Sequence, residues 1–272
     1  MIALFGSLIP KPPKTPLDVN YLIVSGGAGF DYFYSSNESA GGGGGGGHLL
    51  STATLTAASN RIIIGAGGGV RFQGTQSSLN AIKSALSGNG GVQGGQSGAC
   101  GGGGGFISQN QGGIGSIGGN GGNGILDSSP FNFKRTGGGG GLGGNGFNAT
   151  ITGSGNGGDG LTVQVAGTPV TIGGGGGGGT NLVTSPALGG SGGGGNGEAG
   201  IDGGDYIFAT SGAPNTGGGS GGGANHRPAN GGSGVVYIWY PGSTEKAIGG
   251  IITKPSGFVL HTFNTSGNLN IL

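Results

Sequence analysis

The sequence predicts an all-β protein with few or no α-helices, in which strands bracket a lattice of polyglycine II/PPII-type helices, a glycine-rich sandwich. Three observations predict it. Glycine supplies 81 of the 272 residues, several times its ordinary share of roughly 7%. Short β-branched and aromatic runs of strand composition stand at both ends of the glycine-rich region. Between them glycine recurs at every third position, as at Gly112, Gly115, Gly118, Gly121 and Gly124, and again at Gly197, Gly200 and Gly203. Three residues per turn is the polyproline-II period.

Ordering glycine is costly, by roughly 0.5–1 kcal/mol more than alanine at each position. A chain this rich in glycine must recover that energy through something glycine does well. Pure runs occupy 41–47, 101–105, 137–141, 173–179 and 192–195. A polyproline-II-type helix has no hydrogen bonds of its own, yet buried N–H and C=O groups must be paired. Without side chains, neighbouring rods can approach until they bond one another, so the core is backbone instead of hydrocarbon. Collagen also repeats glycine, but with abundant proline. Only 11 prolines are present, none within the runs, which rejects a triple helix of that kind.

Composition excludes several function classes. Charged residues make up 7% of the chain and the formal net charge is +1, so no basic surface for nucleic acid is expected. The single cysteine, Cys100, leaves no disulfide framework and no cysteine-based zinc site. His48, His226 and His261 lie far apart, without ligand spacing. No apolar run is long enough for a membrane helix, and no membrane insertion is expected. Residues 1–10 are apolar but lack the basic start and long apolar centre of a signal peptide.

The chain divides into three parts. Residues 1–17, with Pro10, Pro12, Pro13 and Pro16, form an extended arm or attachment segment. Residues 18–242 are the glycine-rich domain. Its strands are predicted at 19–24 (VNYLIV), 52–56 (TATLT), 61–64 (RIII) and 235–240 (VVYIWY). Residues 243–272 are a C-terminal β-hairpin, with strands at 258–263 and 269–272 around the turn-forming Thr265-Ser266-Gly267-Asn268. One helix can be argued, at 78–86, where Leu79, Ile82 and Leu86 fit i, i+3, i+7. It would be marginal without packing.

Side-chain-rich loops separate the rods, and loops on a rigid scaffold are where binding concentrates. Tyr32, Phe33 and Tyr34 cluster beside the first run, and tyrosine offers contact area and a polar tip at little entropic cost. Phe131, Phe133, Lys134 and Arg135 form a second candidate contact, Tyr206 and Phe208 a third, His226 and Arg227 a fourth. The alternative for the aromatics is a small satellite core capping the rods. Trp239, in a strand, reads as core or subunit interface.

Chemistry is not expected, and no cofactor or metal is expected either. Residues 189–193 and 218–222 match G-x-S-x-G, but that motif needs a strand before and a helix after. Matches to GxGxxG lack the βαβ unit of a dinucleotide site. Glu198, Asp202 and Asp205 could supply oxygen to calcium, but solvated loop charges are the better account of them. Asp159, alone among glycines, reads as a turn contact.

The order VNYLIVSGG, a glycine run, RIIIGAGG, many further runs, then GGSGVVYIWYP resembles the glycine-rich domain of bacteriophage tail-fibre and other virion proteins. The segment GFVLHTFNTSGNL is similar to the short β-segment that accompanies that domain, although here it follows the last strand. The lattice is similar to that of the distal tail-fibre adhesins of T-even-type phages. The resemblance covers about 19–240. It implies a virion protein on a tail fibre or another exterior surface, mediating host attachment by loops on a rigid scaffold. Its implied partners are other virion or tail-fibre proteins, a host cell-surface receptor (protein or glycan) and further copies of itself in a homo-oligomer such as a trimer. Two alternatives stand beside it. One is a purely structural virion or filament subunit, joined through strand edges such as 235–240. The other is an ice-binding protein, which the unequal runs and bulky loops disfavour.

Overall fold

The computed structural model describes residues 15–30, 39–70, 72–83, 95–105, 110–125, 134–181, 185–200, 206–223 and 229–272. Among them there is no helix. The strands, in chain order, are β1 (Leu17–Val24), β2 (His48–Leu55), β3 (Ser59–Ile63), β4 (Ser78–Leu79), β5 (Ile82–Lys83), β6 (Leu161–Val165) and β7 (Thr168–Ile172). They continue with β8 (Ala199–Gly200), β9 (Tyr206–Ile207), β10 (Val235–Pro241), β11 (Ala247–Ile248), β12 (Ile251–Thr253), β13 (Phe258–Phe263) and β14 (Gly267–Ile271). One five-stranded sheet has the order β12-β13-β10-β1-β2, a second β11-β14-β3-β4-β5, and β6-β7 and β8-β9 are two-stranded. Neighbours are antiparallel.

Alternation decides what each face buries. Leu17, Val19, Tyr21 and Ile23 of β1 join Val236, Ile238 and Tyr240 of β10 against Ile62, Leu79, Leu269 and Ile271 of the second sheet. This is the hydrocarbon core of a two-sheet sandwich. The intervening residues Leu22, Val24, Val235 and Trp239 pack on Val163, Val165 and Ile172 of the β6–β7 hairpin, with Cys100 and Leu142. Central strands β1 and β10 are therefore buried on both faces, which is why they read as continuous apolar runs. Trp239 is core, as its place in the strand predicts.

The glycine segments grow out of one end of the first sheet. Residues 25–29 continue β1, 41–47 lead into β2, and 231–234 lead into β10. Their backbone bonds run between segments. Gly42 and Gly45 donate to Gly137 and Gly140, while Gly43 and Gly46 donate to Ser220 and Gly217. Gly103, Gly176 and Ala28 donate back to Gly42, Gly43 and Gly44. The run 41–47 thus touches 25–29, 101–105, 137–141, 173–179 and 217–223, all of them wholly buried. It is the axis of a bundle, and those five segments form the ring around it.

A second ring encloses the first. It includes 110–115, 119–124, 144–149, 155–160, 187–191 and 194–198, bonded inward and to one another. In all of these but 194–198, exposed residues recur three apart: Gln111 and Ile114, Asn120 and Asn123, Asn145 and Asn148, Asn156 and Asp159, Leu188 and Ser191. The sequence beat now has a structural meaning. The pure runs 41–47, 101–105, 137–141 and 173–179 lie inside, surrounded by other backbone, whereas 192–195 is only partly buried; on the perimeter one residue in three can carry a side chain.

Space, more than backbone conformation, demands glycine in the inner runs. Among their described glycines only Gly173 and Gly217 have positive φ. A Cβ on Gly176 would lie 1.7 Å from the Ser220 carbonyl oxygen, and one on Gly42 would lie 2.0 Å from that of Gly176.

Three expectations are corrected. Residues 78–83 are not helical: β4 and β5 form a tight hairpin in which Leu79 faces Ile82, with Asn80 at φ 51°. Leu79 is then free to enter the sandwich core, which a marginal helix would not secure. The C-terminal strands are not a hairpin, because β13 pairs with β10 and β14 with β3. The chain crosses between sheets at residues 264–266, so that Phe263 and Leu269 both enter the core. Strand 235–240 is no edge, since β1 and β13 flank it. The β6–β7 hairpin went unforeseen inside the glycine-rich stretch. Its turn, Ala166-Gly167, has φ of 49° and 81°, the positive pair of a type I′ turn.

Candidate functional site

The bundle has two unlike ends: one joins the sheets, and the other gathers the segment termini remote from them. At the remote end Arg135 bridges Ile125 and Thr180. The Thr180 N–H donates to the Glu198 carbonyl and the Ala40 N–H to that of Gly223. Phe30 is fully buried with Ala40 and Ala229. Its ring lies so close that a Cβ on Gly223 would come within 2.9 Å. Phe30 thus caps this end of the bundle, while Phe33 lies outside the described residues. The described residues flanking 31–38, 126–133, 182–184, 201–205 and 224–228 all belong to this end.

Most of the predicted contacts sit in those segments. Tyr32, Phe33, Tyr34, Phe131, Phe133, His226 and Arg227 lie outside the described residues, as do Asp202 and Asp205. Tyr206 and Phe208 are described. Tyr206 pairs with Gly200 across β8–β9 and its ring lies over that glycine, where a Cβ would meet it at 2.2 Å. Tyr206 is half-buried, while Ile207 and Phe208 are 49% and 44% exposed. They form an apolar tip.

Lys134 and Arg135 are corrected. They are 2% and 7% exposed, so their side chains are not presented outward. The Lys134 N–H donates to Asn181 Oδ1 at 2.7 Å, and the Arg135 guanidinium donates to the Ile151 carbonyl. Next to them the Thr136 hydroxyl accepts the Gly179 N–H at 2.8 Å. This stretch is bundle wall, and its cations are drawn in because it must join the neighbouring segments. Glu198 is also fully buried at this end.

The perimeter holds residues that the loop-centred reading missed. Asn145 and Asn148 accept the Asn120 and Asn123 N–H groups through Oδ1 at 2.8 and 2.7 Å. Asn120 and Asn123 in turn accept from Gly115 and Gly112, both at 2.9 Å. An outer rod has some N–H groups directed away from the bundle, and these amides satisfy them. Asp159 makes no local turn contact but joins a neighbouring segment, accepting the Ser191 N–H at 3.0 Å and hydroxyl at 2.8 Å. Those bonds hold its carboxyl below the usual range. Between the amides stand exposed Ile114, Phe147 and Leu188. The signal was in the sequence, as asparagines three apart at 120/123 and 145/148.

No reactive constellation appears among the described residues. Cys100 is buried, and burial pushes its thiol up to about 12 against a smaller opposing effect of a Gly45 backbone hydrogen bond. A thiol so rarely ionised is a poor nucleophile. Among the described residues no group of His, Cys, Asp and Glu is arranged to hold a metal. His261 is buried in the sandwich, its Nδ1 2.8 Å from the Gly249 carbonyl and its Nε2 3.3 Å from the Tyr240 hydroxyl. That hydroxyl accepts the Lys246 N–H at 2.9 Å. Burial lowers the pKa of His261, against that carbonyl and the charge of Glu245. The imidazole ties strands together.

Fold and surface together define a glycine-built scaffold with loop ends gathered on one side. The chain belongs to the glycine-rich domain family, whose model matches residues 6–241. No curated protein and no solved structure matches it.

Proposed function

We propose that this chain is a host-attachment module of a bacteriophage tail fibre, an adhesin that binds a cell-surface receptor through loops and performs no chemistry. Its scaffold is a stack of polyglycine-II-type rods. The three-residue step of the inter-segment bonds, Gly42 and Gly45 to Gly137 and Gly140, supports that reading. The observation that carries the function is polarity: the segments richest in aromatic and charged residues leave from one end of the bundle, and the sheets occupy the other. At the sheet end a cleft of about 600 Å³ is lined by Thr15, Leu17, Tyr240, Lys246 and Leu272, where the N-terminal arm begins. That end suits mounting and leaves the loops to face outward. Several weak contacts on one virion then gain avidity through effective concentration.

The test is binding of the purified protein to intact candidate host cells, beside a variant carrying Tyr32→Ser, Phe33→Ser and Tyr34→Ser. Loss of binding with the fold retained supports an adhesin and assigns its contact loop. Failure of the unmodified protein to bind any susceptible host favours the second reading, a structural virion or filament subunit.

A further inference from the structure

The two-sheet sandwich has four edges, and three are blunted in familiar ways. Strand β12 has 3 residues and runs into Lys254-Pro255, with Lys254 paired to Glu245 at 2.9 Å. Strand β11 has 2 residues and follows Lys246, and β5 has 2 and ends on Lys83. Short length, lysine and proline are the devices that stop edge strands from recruiting other chains.

Strand β2 has none of them. It spans 8 residues, HLLSTATL, without proline, lysine, arginine, aspartate or glutamate. It pairs with β1 along its whole length, from Leu17↔Leu55 to Val24↔His48, and lies at the end of the sheet order. Its backbone makes no hydrogen bond to any described residue beyond β1. Leu50, Ser51, Thr52 and Thr54 are exposed, and Leu50 is 46% exposed.

We infer that β2 is an interaction edge, and that its partner is a second copy of this chain, added antiparallel to make one continuous sheet across a two-fold axis. The strand's own chemistry selects that partner. Strand addition draws affinity from main-chain bonds, which any chain can supply, so side chains decide who is accepted. A two-fold contact sets a surface against itself, and like charges placed opposite each other destabilise a pair. With no Lys, Arg, Asp or Glu, β2 meets its own copy without repulsion. Hydroxyls of Ser51 and Thr52 can pair across the new seam, as Thr–Thr and Thr–Ser pairs do between strands, while that of Thr54 already donates to Asp18 Oδ1 on β1. A charged foreign strand would find no complement there. The inference is independent of the adhesin reading, because fibre and filament subunits alike need a self-contact.

Sedimentation equilibrium of the full chain tests it, with Thr52→Lys on the edge and Asn148→Lys on the bundle perimeter as a control. Circular dichroism and thermal unfolding establish that each variant is folded. The expected result is a wild-type dimer whose dissociation constant rises about tenfold or more in Thr52→Lys and stays unchanged in Asn148→Lys. Amide exchange of the peptide covering 48–55 should slow as protein concentration rises. A wild type that stays monomeric overturns the inference. So does a folded Thr52→Lys protein that dimerises as wild type, or concentration-dependent protection that falls elsewhere than β2.

Discussion

The sandwich and the glycine bundle share one chain and even share strands, yet they are held together by opposite means. In the sandwich, interior space is filled by side chains such as Leu22, Ile23 and Ile238, all fully buried. Backbone bonding there is local to each ladder. In the bundle the interior is the backbone itself, and the axis run 41–47 bonds to five separate segments. Glycine consequently does two different jobs. At sandwich turns it supplies positive φ, as at Gly167 and Gly257, where a Cβ would meet nothing within 4 Å. Within the inner runs φ is mostly ordinary, and the missing Cβ lets another carbonyl occupy its place. One residue type meets a conformational need in one region and a spatial need in the other.

Substitutions can break that contrast, and the largest effect belongs to the bundle. Gly176→Ala sets a methyl 1.7 Å from a backbone oxygen that cannot move alone. It should cost more than about 4 kcal/mol, in the exceptional tail of single substitutions, seen as loss of the cooperative unfolding transition or of soluble protein. In the sandwich, Leu22→Ala removes a fully buried side chain and should cost roughly 2–5 kcal/mol in urea unfolding.

Acid sharpens the comparison, because the two buried imidazoles, His48 and His261, belong to the sheet end. Burial lowers the pKa of both His48 and His261. The unfolded chain therefore takes up protons first as pH falls, so stability is fully present above the free-imidazole value of about 6.5 and declines below it. Urea midpoints across that range should show the decline, and His261→Gln should flatten it. At the turn, Gly167→Ala should cost only about 1–2 kcal/mol, the left-handed penalty without a clash. Smallest is Asn148→Ala, which exposes the Asn123 N–H to water and should cost less than about 1 kcal/mol in thermal unfolding.

Legibility followed the same division. Central strands were readable because burial on both faces leaves unbroken apolar runs, as at 19–24 and 235–240. The β6–β7 hairpin alternates Leu161, Val163 and Val165, but the flanking glycine hid a signal that was present. Residues 78–83 misled because Leu79 and Ile82 fit a helical spacing, while pairing with β3 decided the outcome; Leu86 lies outside the described residues. The C-terminal pairing was not legible, since which sheet a strand joins depends on partners such as β3, some two hundred positions away. Bonding of the glycine segments to one another was legible, but not their order: glycines carry no side chain to distinguish one neighbour from another. The every-third side chains of the outer segments mark the perimeter, and the perimeter asparagines follow from them. Of the contact residues, Tyr206 and Phe208 reach the surface, half-buried and exposed respectively. Lys134 and Arg135 do not, because residue type alone cannot say whether a cation sits on a loop or in the wall beneath it.

The account rests on backbone hydrogen bonding as the core of the bundle, and amide hydrogen exchange of residues 41–47 tests it most directly. A buried, inter-segment-bonded axis predicts that these glycines exchange as slowly as the central strands β1 and β10. Exchange at the rate of an unstructured glycine peptide, while the strands stay protected, would contradict it.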